Sequence, residues 1–95
     1  MKNDKEIIDK VAEILKNKID DFNRNSSQFV CFGRYKVAHD SNALHITLKL
    51  YDKSLRKVAV FSTALSLVEL RKSRVSLYNI IKTEIFDKFF AVWED

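Results

Sequence analysis

The sequence has one glycine, Gly33, and no proline. It therefore lacks the glycine-rich loops through which backbone amides cradle phosphates, and it lacks the small-residue elbow that exposes a catalytic serine. A single cysteine, Cys31, excludes an intramolecular disulfide framework and any metal centre that needs several thiolates. It also favours a reducing compartment. No uninterrupted apolar run reaches the roughly 18 residues of a membrane span. The opening stretch MKNDKEIIDKVAEILKNK sets acids among its apolar residues, unlike a signal peptide. The expected location is the cytoplasm, or the interior of a host cell if the chain is of viral or plasmid origin.

With so few loop formers, the chain should consist of regular elements joined by short polar turns. At 95 residues, 46% hydrophobic and 32% charged, residues 1-95 are expected to form a single compact domain with no second domain. A chain this size buries only about 60 to 65% of its unfolded surface. Its stability is modest, and a partner would add to it.

Residues 4 to 22 place Ile7, Ile8, Val11, Ile14, Leu15, Ile19 and Phe22 at helical spacing among Lys, Asp and Glu, which predicts an amphipathic helix. Asn3 and Glu6 fit a capping box, and the polar run Asn23-Arg24-Asn25-Ser26-Ser27 should end the helix. From Gln28 the period changes to two. Phe29, Cys31, Gly33, Tyr35 and Val37 alternate with Val30, Phe32, Arg34 and Lys36, and His39 to Asn42 reads as a turn. Leu44, Ile46, Leu48 and Leu50 then alternate with His45, Thr47, Lys49 and Tyr51. After a second turn at Asp52-Lys53-Ser54, Val58 and Val60 alternate with Lys57, Ala59 and Phe61, which predicts a third strand with the valines inward. Residues 63 to 72 suit either a short helix capped by Ser66 and Glu69 or an extension of that strand; the helix is favoured. Beyond a break near residues 71 to 76, a stripe of Tyr78, Ile81, Ile85, Phe89 and Val92 or Trp93, broadened by Leu77, Ile80, Phe86 and Phe90, predicts a long α-helix. The fold class is α+β: a three-stranded antiparallel meander with an N-terminal and a C-terminal helix packed on one face, in the order α-β-β-β-α(short)-α.

Chemistry is hard to assemble from these parts. Cys31 as nucleophile with His45 as base would require a shared sheet face, and strand parity separates them. His39 lies in a turn. The acid pairs Asp20-Asp21 and Glu94-Asp95 fall at a helix end and at the chain end, where a solvated role outweighs ion binding. The protein is expected to be noncatalytic, with no catalytic, metal or cofactor-binding residues.

Charge is unevenly spread. The helical portions, residues 1 to 27 and 63 to 95, each balance Lys and Arg against Asp and Glu, so the whole formal charge of +4 belongs to residues 28 to 62. Parity places Arg34, Lys36, Lys49 and Lys57 on the open face of the sheet beside Phe32, His45, Tyr51 and Phe61, with no acid among them. Those eight residues form the candidate interaction face. Val30, Phe32, Tyr51 and Phe61 would give it an apolar patch of about 300 to 400 Å², the size at which a contact surface becomes the default. The same lysines also discourage edge-to-edge pairing without any partner. Arg71, Lys72 and Arg74, with Phe90 and Trp93 of the aromatic tail, form a secondary candidate surface. The function these features favour is binding of another protein, as a regulator or inhibitor, by a homodimer. The alternative is nucleic-acid binding, with cations on phosphates and aromatics on bases. No membrane and no small-molecule cofactor are expected as partners.

Overall fold

The computed structural model describes residues 3–38, 40 and 42–94. His39 and Ser41 of the expected first turn, and Asp95 of the terminal acid pair, lie outside the described residues. Helix α1 (Asp4–Asn25) is followed by strands β1 (Phe29–Ala38), β2 (Ala43–Asp52) and β3 (Lys57–Ser66), then by α2 (Leu67–Lys72) and α3 (Leu77–Ile81). From α3 the helix continues without a break through a π segment (Lys82–Phe90) into a last α turn, α4 (Ala91–Trp93). The sheet is antiparallel in the order β1-β2-β3, with the helices on one face. The expected α-β-β-β-α-α order is the observed one.

The central strand explains the arrangement. Leu44, Ile46, Leu48 and Leu50 alternate along β2 and are completely buried, so one side of the sheet must be roofed. Ile7, Val11, Ile14, Leu15 and Phe22 of α1 supply part of the roof, and Ile81, Ile85, Phe86, Phe89 and Phe90 the rest. Of the expected capping box the Asn3 half forms, the Asn3 side chain accepting a hydrogen bond from the Glu6 amide at 2.8 Å. Residues 63 to 72 resolve the ambiguity by doing both things in turn. β3 runs on through Ser66, whose hydroxyl then accepts from the Glu69 amide at 3.3 Å and opens α2.

The C-terminal helix departs from the expected α stripe. Its buried residues include pairs four apart, Ile81 with Ile85 and Phe86 with Phe90, and pairs five apart, Ile81 with Phe86 and Ile85 with Phe90. A π turn closes i→i+5, here from the Ala91 amide to the Phe86 carbonyl, and the wider winding returns both intervals to one side. Tyr78, in the α turn before this segment, and Val92, just beyond it, both placed on the buried stripe by α periodicity, are exposed.

α1 lies against the outer edge of β1 and holds it at two points. Asn23 uses both ends of its amide: Oδ1 accepts from the Cys31 N–H at 2.7 Å, and Nδ2 donates to the Cys31 carbonyl at 3.0 Å. The Ser26 hydroxyl accepts from the Phe29 amide at 3.0 Å. Between these contacts and the far end of the helix, Gly33 lets α1 come close. A Cβ there would stand 2.6 Å from Ile19 Cδ1 and 2.8 Å from Leu48 Cδ2. The lone glycine therefore serves a helix approach and no ligand loop.

The β2–β3 turn shows what the shortage of glycine costs. Asp52 Oδ1 accepts from the amides of Ser54 and Arg56 at 2.9 and 3.0 Å, while Leu55 adopts a positive φ of 64°, a region that a leucine enters at a penalty. Two outcomes follow for urea unfolding. Asn23→Ala leaves the Cys31 amide and carbonyl unpaired and should destabilise by about 1–3 kcal/mol. Leu55→Gly, at a side chain that is 75% exposed, should stabilise by up to about 1 kcal/mol.

Candidate functional site

The open face is built row by row from the register. Phe32 pairs with Lys49, which faces Val60; Arg34 pairs with Thr47, which faces Ser62; Lys36 pairs with His45, which faces Ala64; and Val30 pairs with Tyr51, which faces Lys57. Opposed residues share a face, so Arg34, Lys36, His45, Lys49, Tyr51 and Lys57 stand together with Phe32 on the side away from the helices. Phe32 is 57% exposed and meets the half-buried Tyr51 edge to face, ring centroids 5.7 Å apart.

Phe61 does not belong there. The register shifts at Leu50/Tyr51: Tyr51 pairs with Lys57, and Leu50 with Ala59, so Val58 is an extra residue on β3. This bulge reverses the strand's parity beyond it. Lys57 stays on the open side, but Ala59, Phe61, Thr63 and Leu65 turn toward the helices, opposite Leu50, Leu48, Ile46 and Leu44. Phe61 packs on Phe89 with centroids 5.7 Å apart. The valines expected inside take its place outside, Val58 40% and Val60 51% exposed. A signal for this was present in Leu65: once the strand includes it, Ala59, Phe61 and Leu65 make the larger apolar set.

The secondary surface also comes apart. Phe90 is 0% exposed, held among Phe22, Phe86 and Phe89, because the π winding turns it under the sheet. Trp93 is half-buried and packs edge to face on Phe29 at 5.4 Å. Arg71 forms an ion pair with Asp4 of α1 at 2.9 Å, while Lys72 and Arg74 remain exposed around the α2 end. The triplet lies at a helix junction that Arg71 helps to tie.

Electrostatically the two layers differ. Among the described residues the ion pairs join helical residues, Lys16 with Asp20, Arg24 with Asp21 and Lys88 with Glu84 among them, or, in Lys18 with Glu94, a helical residue with the one that ends the last helix, so both members of the Asp20-Asp21 pair already face a side-chain cation. None of these pairs reaches Arg34, Lys36, Lys49 or Lys57. Lys18 is held in the helical layer by Glu94 and by the faces of Phe86 and Phe90, 5.5 and 5.4 Å from their centroids. A groove of about 890 Å³ runs between α1 and α3 past Lys10, Glu13, Asp20, Asp21, Arg24 and Tyr78. Its charges are mixed in sign, so it presents no single preference for a ligand.

Cys31 and His45 fall on opposite faces, as parity implied: Cys31 is buried against the helices and His45 is exposed. Desolvation by burial pushes the Cys31 thiol from 9.0 up to about 11. Among the described residues no three of His, Cys, Asp and Glu converge on a point that could hold a metal ion. No helix of the described residues is long and apolar enough to cross a membrane. Comparison with protein-family models, curated proteins and solved structures yields no match to this chain.

The thiol provides a check on the α1–β1 contact. Iodoacetamide at pH 7.5 should leave Cys31 unmodified in the folded protein and alkylate it in denaturant. Because the folded state holds the proton more tightly, the Cys31 contribution to stability is complete below pH 9.0 and is lost as the pH rises through about 11. Rapid labelling of the native protein at neutral pH would show that the helix opens from the strand.

Proposed function

We propose that the protein is a noncatalytic binding protein that presents the open face of its sheet to an acidic surface of another protein. The observation that carries this reading is the composition of the face after the bulge. Val58 and Val60 join Phe32 and the half-buried Tyr51 in an apolar group on the open face; Lys49 stands between Phe32 and Val60, and Arg34, Lys36 and Lys57 flank the group, with no acid among the four cations. An apolar centre with a charged rim is the usual anatomy of a protein interface. Cations on one side alone steer and select a partner of the opposite sign. Regulation or inhibition by occupying that partner is the mode of action available to such a surface.

A nucleic-acid partner is the alternative, favoured by the same acid-free row of cations. It is weakened by the loss of Phe61 to the covered face. Stacking on bases needs open ring faces, and what remains is one edge-to-face pair, Phe32 with Tyr51.

The test is a sizing column with light scattering at near-physiological salt, run on the protein alone and with short single- and double-stranded oligonucleotides. Elution that ignores the oligonucleotides is the expected result. Comigration that disappears as salt rises, through counterion release, would replace the protein partner with nucleic acid. The double substitution Arg34→Glu and Lys49→Glu, at exposed and half-exposed positions, should leave the fold unchanged and abolish retention of an acidic protein by the immobilised chain. Equal retention by the two forms counts against the open face.

A further inference from the structure

The two edges of the sheet are treated differently. At the β1 edge, both backbone groups of Cys31 are bonded to Asn23 and the Phe29 amide to Ser26, and Ile19 of α1 lies against Gly33. A helix over the edge, and the charges of Arg34 and Lys36 beside it, are the means by which proteins prevent strand addition. From Val58 to Leu65 the β3 edge has neither. Because Cys31 turns its amide and carbonyl outward, the alternation of an antiparallel ladder fixes which residues face outward across the sheet. The odd residues of β2 bond β1 and its even residues bond β3, so Val60, Ser62 and Ala64 direct their amides and carbonyls away from the sheet. Among the described residues nothing is hydrogen-bonded to them from that side. The stretch Val58–Leu65 has no charge, no proline and no glycine. An uncharged strand edge of this kind is a template for pairing.

We infer that β3 pairs antiparallel with β3 of a second copy of this chain, about a two-fold axis near Phe61, to give a continuous six-stranded sheet. In that register Val60 lies opposite Ser62 of the second copy, Ala59 opposite Thr63 and Phe61 opposite Phe61, so no charges of like sign meet across the junction. Lys57 and the bulge bound the usable edge at one end, and the Ser66 cap of α2 bounds it at the other. A second copy fits better than an extended segment of a foreign chain because the edge is complementary to itself, and because one blocked edge and one open edge end the sheet at two copies. A sheet open at both edges would propagate. The dyad is perpendicular to the sheet, so the two open faces lie on the same side and form one surface of doubled width. The pairing stands independently of what that surface binds.

Sizing with light scattering over a range of protein concentrations tests it. The wild-type chain should have twice the chain mass at the upper concentrations and dissociate on dilution. Ser62→Lys puts a charge at an exposed edge position and should return the chain mass, with the circular dichroism spectrum and unfolding midpoint of a folded monomer. Ser62→Cys tests the same edge without disturbing it. Cys31 is buried, so the new thiol is the accessible one, and a short bismaleimide should link two chains at high yield. A wild-type protein that stays at the chain mass at every concentration overturns the inference, as does a dimer that survives Ser62→Lys or resists the cross-linker.

Discussion

Leu44, Ile46, Leu48 and Leu50 leave water together or not at all. They sit on one side of the middle strand, where no edge residue can shield them, and each fully buried side chain of this size contributes about 1.5–3 kcal/mol. The two long helices are amphipathic because this stripe has to be covered, and the chain's few turns suffice because a meander is the shortest way to set a strand on each side of it. The ring cluster of Phe22, Phe86, Phe89 and Phe90 fills the space between roof and sheet. The polar details serve the same end. Asn23 and Ser26 fasten α1 over β1, and Arg71 ties the α2 end to the start of α1.

That dependence explains which parts could be read from residues alone. Alternation along β2 and the helical spacing in α1 are each dictated by burial on one side, and each is visible in the sequence. The separation of Cys31 from His45 rests on the same parity and needs no coordinates. The failures share a cause of a different kind. A bulge inserts one residue at Val58 and exchanges the faces of everything after it on β3. The π winding adds width to the last helix, where Phe90, named both for the stripe and for a surface, is buried while Tyr78 and Val92 are exposed. Each is a local change of period, fixed by packing against partners distant in sequence, and the trace it leaves in the residues is slight: on β3 it is Leu65, which makes the set of Ala59, Phe61 and Leu65 the larger apolar one. Asn23 was hidden for another reason: in sequence it is one more polar residue in a run that ends a helix, and its role exists only because β1 happens to pass beside it.

The candidate face inherits both kinds of outcome. Its cations come from β1 and β2, where parity holds, and from Lys57, which lies ahead of the bulge. Its apolar members changed: the bulge withdrew Phe61 and supplied Val58 and Val60, turning an aromatic platform into an aliphatic patch beside one ring pair. The helical layer meets its own charges internally, while the sheet leaves its cations to solvent or to a partner. A field of one sign over one face is thus a consequence of where the acids were placed, since the acids of the helical portions balance cations of those same portions.

The last helix carries a property that follows from its width. An α-helix takes its rotational setting from its own hydrogen bonds, which admit one residue count per turn. A π segment such as Lys82–Phe90 holds more chain over the same axial distance than an α path between the same anchors, and its backbone alone gives little reason to keep the excess. The excess is kept in place by the rings beneath it. Which residues of the C-terminal helix face the sheet is therefore decided by the shape of the core, and a change in core volume would be felt along this helix as a rotation before it was felt as a loss of helical structure.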